Sequence, residues 1–83
     1  MKNILVVGAG YVGLANSFLL GISEKITVID INENKIDELR LGNPHIDDDY
    51  IWKYINKVNI NYVYEQDESY NGYDLVVVAT PTN

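Results

Sequence analysis

Three glycines near the start of the chain have a spacing that binds phosphate in many proteins. Gly8, Gly10 and Gly13 form the pattern Gly-x-Gly-x-x-Gly directly after the apolar run 4–7. The first glycine permits a tight turn, the second lets the backbone approach a pyrophosphate, and the third permits close packing of the next helix. The phosphates then lie at the positive end of that helix. The glycines alone are equally compatible with a turn that binds nothing.

A carboxylate stands where such a motif requires one. Asp30 ends the apolar run 26–29, about 20 residues after Gly10, where a carboxylate accepts hydrogen bonds from both hydroxyls of an adenine ribose. The alternative is a turn residue at the start of the next helix. Because a predicted strand precedes the glycines and a predicted helix follows them, the sequence predicts dinucleotide binding. The same carboxylate repels a 2′-phosphate, which favours NAD over NADP.

The hydrophobic pattern predicts the elements that position these residues. Apolar runs predict strands at 4–7, 26–30, 60–64 and 75–79, of which the last is expected to be fully buried, and periodic segments predict helices at 11–20, 32–41 and 47–57 and one short helical turn at 67–71. Strands joined by helical crossovers lie parallel, with right-handed connections and the order 3-2-1-4. We therefore predict an α/β fold, the first four strands of a Rossmann-type dinucleotide-binding domain.

The helical period also indicates the apolar faces. The side chains concerned are Ala15, Phe18 and Leu19 in the first helix, Ile36, Leu39 and the stem of Arg40 in the second, and Ile51, Tyr54, Ile55 and Val58 in the third. Tyr62 and Tyr64 alternate along the third strand, and packing accounts for them. Tyr11 differs because it projects from the glycine loop, where it would cover the cofactor or a neighbouring segment.

Composition excludes several classes of function. The chain has 83 residues, 47% of them hydrophobic, and only two prolines, which indicates one small globular domain. Twelve acidic and six basic residues give a net charge of −6, which argues against a nucleic-acid partner. There is no cysteine, and therefore no disulfide, thiolate metal site or thiol nucleophile.

Two other patterns have simpler explanations than a function. Residues 3–23 carry no charge and follow Lys2, but the glycines interrupt this run, and a buried strand and helix give the same pattern. We expect no membrane association and a cytoplasmic protein. The acids at 47–49 complement a helix dipole, and His45 has no second ligand nearby in sequence, so we predict neither a metal site nor a catalytic histidine.

Three segments together resemble one family. Residues 8–14 (GAGYVGL), residues 28–31 (VIDI) followed by Lys35, and residues 78–83 (VATPTN) occur in this order. They resemble the N-terminal domain of the UDP-glucose/GDP-mannose dehydrogenases, and the UDP-glucose branch fits best. The resemblance runs from Met1 to Asn83 but covers only a fraction of a family member.

The resemblance implies which residues contact the cofactor. The loop of Gly8, Gly10, Tyr11, Val12 and Gly13 would hold the pyrophosphate of NAD. Asp30 and Lys35 would lie near the adenine ribose, and Thr80, after the fourth strand, would also contact the cofactor. For Lys35 a solvated helix lysine is an equally good account.

The resemblance also implies an activity that this chain cannot perform by itself. The family oxidises the C6 alcohol of a sugar nucleotide twice and passes two hydrides to NAD through a thioester on a catalytic cysteine. The chain has no cysteine. We therefore expect the NAD-binding part of a UDP-glucose 6-dehydrogenase, with no catalytic residue and with the substrate-binding and catalytic regions outside this chain.

Other functions remain open at this point. The chain could be part of a GDP-mannose or β-hydroxyacid dehydrogenase, since one fold serves many substrates. A nucleotide-sensing module, such as those that gate potassium transport, begins with the same motif. The apolar run 75–79 could also form an edge that pairs with a second copy and makes the chain a homo-oligomer.

Overall fold

Strands and helices alternate along the chain as the sequence predicts. The computed structural model describes residues 1–44 and 46–79. It contains β1 (Asn3–Val7), α1 (Tyr11–Leu20), β2 (Lys25–Asp30), α2 (Glu33–Arg40), α3 (Asp49–Tyr54), β3 (Ile60–Tyr64) and β4 (Leu75–Val78), with a single 3₁₀ turn, Glu65–Asp67, between β3 and β4. The strands form one parallel sheet in the order β3-β2-β1-β4, which confirms the predicted fold class and topology.

The two faces of the sheet are covered unequally. The main core joins strand side chains such as Ile4, Val6 and Val28 to Leu14 and Phe18 of α1, and α2 and α3 add Ile36, Leu39, Ile51 and Ile55 to it. All three helices thus pack on one face. The opposite face has a smaller cluster of Leu5, Val7 and Ile29, against which Val63 and Tyr73 pack. Tyr73 belongs to the β3–β4 connection, so that connection covers the second face in place of a helix.

The apolar face of α1 is rotated from the predicted one. Phe18 is buried as predicted, but Leu19 is 62% exposed, and Leu14 and Ser17 are buried in its place. Gly13 is also buried on this side of the helix. Since a glycine and a serine lie on this close-packed side, hydrophobicity alone did not identify it.

The remaining helices differ from prediction mainly at their ends. Asn32 is the N-cap of α2, where its side chain accepts from the Lys35 N–H, so this helix begins one residue later than predicted. The predicted helix 47–57 shortens to α3 because the Asp48 carboxylate caps it by accepting from the Tyr50 and Ile51 N–H groups. At its other end the chain turns, and the Lys57 and Val58 N–H groups both donate to the Tyr54 carbonyl. The short turn occurs at Glu65–Asp67 instead of 67–71.

The prediction that the fourth strand is fully buried is wrong. Val76 is 36% and Val78 66% exposed. β4 lies at an edge of the sheet with β1 as its hydrogen-bonded neighbour. Its side chains at Val76 and Val78 share a face with Leu5 and Val7, where no helix of the described chain packs. An apolar run alone does not distinguish a covered strand from an uncovered one.

The opposite edge of the sheet is protected. Arg40 Nε donates to the carbonyl oxygen of Tyr62 in β3 over 2.9 Å. The Arg40 guanidinium carbon also lies 4.7 Å from the centre of the Tyr64 ring, whose hydroxyl donates to Asp37. This α2 side chain therefore satisfies a carbonyl of an edge strand that would otherwise be free to pair.

Candidate functional site

Gly8 and Gly13 each have a structural reason to be glycine, whereas Gly10 has free space beside its α-carbon. Gly8 has φ of 110°, a conformation that other L-residues rarely adopt, and its N–H donates to the Ile29 carbonyl over 2.8 Å. A Cβ at Gly13 would overlap the Gly8 carbonyl oxygen, whereas a Cβ at Gly10 would meet no described atom within 4 Å. Gly8 thus makes the turn, Gly13 brings α1 against it, and Gly10 leaves open space above it.

The N-terminus of α1 is available to an anion. Gly10 is its N-cap, has no side chain to cap the helix, and no acidic residue lies in the first turn. The first bond within the helix joins the Leu14 N–H to the Gly10 carbonyl over 3.0 Å, so earlier N–H groups have no partner within the helix. These donors and the helix dipole favour a phosphate at this position. Tyr11 and Val12 are exposed beside it.

Asp30 connects the glycine loop to the start of α2. Its Oδ2 atom accepts from the Ala9 N–H over 2.9 Å, and its Oδ1 atom accepts from the Asn32 N–H over 2.8 Å. The Lys35 Nζ atom lies 3.9 Å from Oδ2, and the Asp30 side chain is 13% exposed. Each carboxylate oxygen has two acceptor sites, so both retain capacity for a ribose hydroxyl. The sequence predicts the carboxylate but not its bond to the loop.

The loop and the carboxylate line one cavity of about 390 Å³ beyond the C-terminal ends of the strands. Its lining includes four predicted site residues, which are Gly8, Gly10, Asp30 and Lys35, and four that the sequence analysis did not select, which are Ala9, Ile31, Asn32 and Glu65. Tyr11 and Val12 stand outside this lining at the helix start, and Gly13 lies beneath the loop. Thr80 falls outside the described residues.

A larger cavity of about 700 Å³ lies near the start of β3. Residues 39–42 and 55–62 line it, and these contain none of the predicted site residues. Four of the predicted site residues, Gly8, Gly10, Asp30 and Lys35, thus line the smaller cavity. This cavity lies where ligands bind in parallel α/β sheets.

Comparison with known proteins decides the family. The model for the NAD-binding domain of the UDP-glucose/GDP-mannose dehydrogenase family matches residues 2–83. The chain belongs to this family. The cofactor of its NAD-binding domain is NAD, as the sequence predicts.

Individual relatives agree with this assignment. The chain is 36% identical over 84 residues to UDP-glucose 6-dehydrogenase of Campylobacter jejuni, with 96% of this chain and 21% of the relative covered. It is 32% identical to the enzyme of the same name from Streptococcus pneumoniae, with the same coverage, and 35% identical to the protein CapL of Staphylococcus aureus, with 98% and 19% covered. The chain therefore spans about a fifth of the length of these relatives.

A solved structure supports the fold. A UDP-glucose dehydrogenase from the archaeon Pyrobaculum islandicum aligns with a TM-score of 0.85 and 21% identity, over 95% of this chain and 19% of that one. At this identity the likeness establishes the fold only. Among the described residues, no helix is both long and apolar enough to cross a membrane.

Proposed function

We propose that this chain is the NAD-binding part of a UDP-glucose 6-dehydrogenase, which oxidises UDP-glucose to UDP-glucuronate. The substrate-binding and catalytic groups belong to regions outside residues 1–83, and the chain alone binds NAD without catalysis. The proposal includes a cytoplasmic location and self-association through β4. The names of the relatives support the substrate, and family membership supports the cofactor.

One observation carries the binding site. Open space above Gly10 adjoins a carboxylate that is already fixed by the Ala9 and Asn32 N–H groups. A Cβ at Gly10 would occupy the space that a pyrophosphate needs, and a mobile carboxylate would lose entropy when it bound a ribose. The residues present therefore suit an adenine dinucleotide.

Each group has a distinct task in this proposal. The N-terminus of α1 and the glycine loop hold the pyrophosphate by N–H donation. Asp30 accepts from the ribose hydroxyls, and Lys35 balances its charge. When bound, NAD supplies the hydride acceptor for oxidation of the alcohol. The described residues bind and orient its adenosine half.

Two alternatives have less support. A GDP-mannose dehydrogenase shares the family, but the relatives named above are UDP-glucose enzymes or CapL. A nucleotide-sensing module would share the glycine motif, yet the family match extends over residues 2–83 and not over the motif alone.

Thermal unfolding with and without nucleotides tests the proposal. A ligand that binds only the folded state raises the transition temperature. We expect 1 mM NAD to raise it and NADP to raise it less, because Asp30 repels a 2′-phosphate. We also expect no NADH production from UDP-glucose by the 83-residue chain. A transition that NAD does not move would contradict the binding proposal.

A further inference from the structure

We infer that Glu65 makes the proposed NAD site selective for adenine, by accepting a hydrogen bond from the 6-amino group of the base, and that Ile31 supplies the apolar surface beside it. This inference rests on the proposed function. It concerns two residues that the glycine motif does not include.

The order of the strands indicates where the adenine base would lie. β1, β2 and β3 are successive neighbours, with Val7 beside Ile29 and Asp30 beside Tyr64, and adjacent strands are about 4.8 Å apart. Phosphate, ribose and base follow one another along an adenosine diphosphate. When the phosphates lie at Gly10 beyond β1 and the ribose at Asp30 beyond β2, continuing in the same direction brings the base toward the end of β3.

Glu65 is the first residue after β3, and it lines the cavity that contains the glycine loop and Asp30. It is partly buried. Within residues 1–44 and 46–79, the structure gives the Glu65 carboxylate no hydrogen-bond or ion-pair partner, whereas Lys35, the cation of this cavity, lies beside Asp30. The Glu65 carboxylate can therefore accept a hydrogen bond from a ligand in this cavity.

Ile31 explains how a flat base is accommodated. It directly follows Asp30, lines the same cavity, and is 79% exposed. Exposed aliphatic residues are common on protein surfaces, but this one lines the same cavity as Asp30 and Glu65. Contact with a purine face would remove its side chain from water, which favours binding without regard to the substituents of the ring.

We expect Glu65 to determine selectivity between bases and Ile31 to contribute to affinity alone. An ionised carboxylate only accepts hydrogen bonds. Adenine presents a donor at its 6-position, whereas hypoxanthine has a carbonyl oxygen there, which would face the carboxylate as a second acceptor. Loss of a hydrogen bond to a charged group corresponds to about tenfold or more in affinity. Ile31 would not distinguish the two bases.

Titration calorimetry with NAD and with nicotinamide hypoxanthine dinucleotide tests this inference. We expect the wild-type chain to bind NAD at least about tenfold more tightly than the hypoxanthine analogue. Glu65→Gln should reduce this ratio to near one, because an amide both accepts from an amino group and donates to a carbonyl. Ile31→Ala should weaken both ligands by a similar factor, and Gln66→Leu, at the exposed next position, should leave the ratio unchanged.

The outcomes separate the inference from the proposed function. Equal binding of the two dinucleotides by the wild type, or an unchanged ratio in Glu65→Gln, would overturn the adenine-selective role while leaving NAD binding intact. If neither dinucleotide nor ADP-ribose bound to a chain whose circular dichroism is that of a folded α/β protein, the proposed function itself would fail and the inference with it.

Discussion

Gly10 and Gly13 lie three positions apart. We expect a substitution at Gly10 to affect NAD binding and one at Gly13 to affect the stability of the fold. The backbone at Gly10 has φ of −79° and ψ of −170°, which any residue adopts, and a Cβ there meets open space. A Cβ at Gly13 would meet the Gly8 carbonyl. We expect Gly10→Ala to abolish measurable NAD binding and to leave the melting temperature unchanged or slightly higher. We expect Gly13→Ala to lower the free energy of unfolding by about 1–3 kcal/mol.

Thermal denaturation and calorimetry on the two variants check this contrast. Each variant is the control for the other, because both add one methyl group to a glycine of the same motif. Tight NAD binding by Gly10→Ala would mean that the pyrophosphate does not pass over this residue. A stable Gly13→Ala variant would mean that α1 moves away from the loop at little cost.

The ion pair of Asp30 and Lys35 leads to a prediction about the preference between NAD and NADP. The carboxylate repels a 2′-phosphate, while the Lys35 ammonium group lies 3.9 Å from Oδ2 and would attract one. We expect Asp30→Ser to weaken NAD binding by tenfold or more, as charge-assisted bonds to the ribose are lost, and to strengthen NADP binding. The double variant Asp30→Ser with Lys35→Met should bind NADP less tightly than Asp30→Ser alone. Calorimetry with both cofactors measures this, and an unchanged preference would exclude Asp30 from the ribose site.

At the scale of elements, β3 contains a buried hydroxyl that gives the fold a distinct response to alkaline pH. The Tyr62 Oη atom is buried and has no hydrogen-bond partner in the described structure, and burial raises the pKa of Tyr62 to about 12. Between pH 10, the ordinary pKa, and pH 12, the unfolded chain releases this proton while the folded chain keeps it. The stability of the fold therefore falls as pH rises through this window, by up to about 3 kcal/mol from Tyr62.

Tyr62→Phe isolates this effect. The pKa of Tyr64 is also raised, by its hydrogen bond to Asp37, and that of Tyr73 is raised by burial, so the wild-type loss does not come from Tyr62 alone. Chemical denaturation at pH 7, 10 and 12 should show a smaller alkaline loss in Tyr62→Phe and equal or greater stability at pH 7, because removal of an unpaired buried hydroxyl costs little. An equal alkaline loss in both proteins would contradict this account.

Local sequence patterns predict most elements but not their environment. Gly8, Gly13 and Asp30 were identified because a tight turn, close packing and a strand-end carboxylate restrict residue types strongly. The burial of β4 was not predicted correctly, since an apolar run is the same whether or not other elements cover it. Ile31 and Glu65 were missed because neither an exposed aliphatic residue nor a single carboxylate after a strand belongs to a recognisable motif. Only the cavity in the folded chain shows that they lie near Asp30.

At the scale of the whole molecule, the two edges of the sheet are treated differently. The β3 edge has the Arg40 guanidinium on a carbonyl oxygen, which obstructs a further strand. Along β4, residues 75–78 are all apolar, and Leu75 and Val78 are largely exposed. The chain therefore has one edge that discourages pairing and one that permits it.

The open edge leads to a prediction about self-association. Two copies can place β4 edges side by side about a two-fold axis, which brings the same apolar side chains of both chains together. We expect a dimer at high protein concentration in light scattering, and we expect added salt to strengthen it, because each copy carries a net charge of −6.

Two lysine variants test whether β4 forms the dimer contact. Val78→Lys should give a monomer, since a lysine on an edge strand opposes pairing. Leu19→Lys adds the same charge at a comparably exposed position of α1 and should leave the dimer intact. A wild-type chain that stays monomeric at high concentration and high salt would show that the exposed β4 edge does not drive association. Dissociation by both lysine variants alike would show that the loss of the dimer is not specific to the β4 strand.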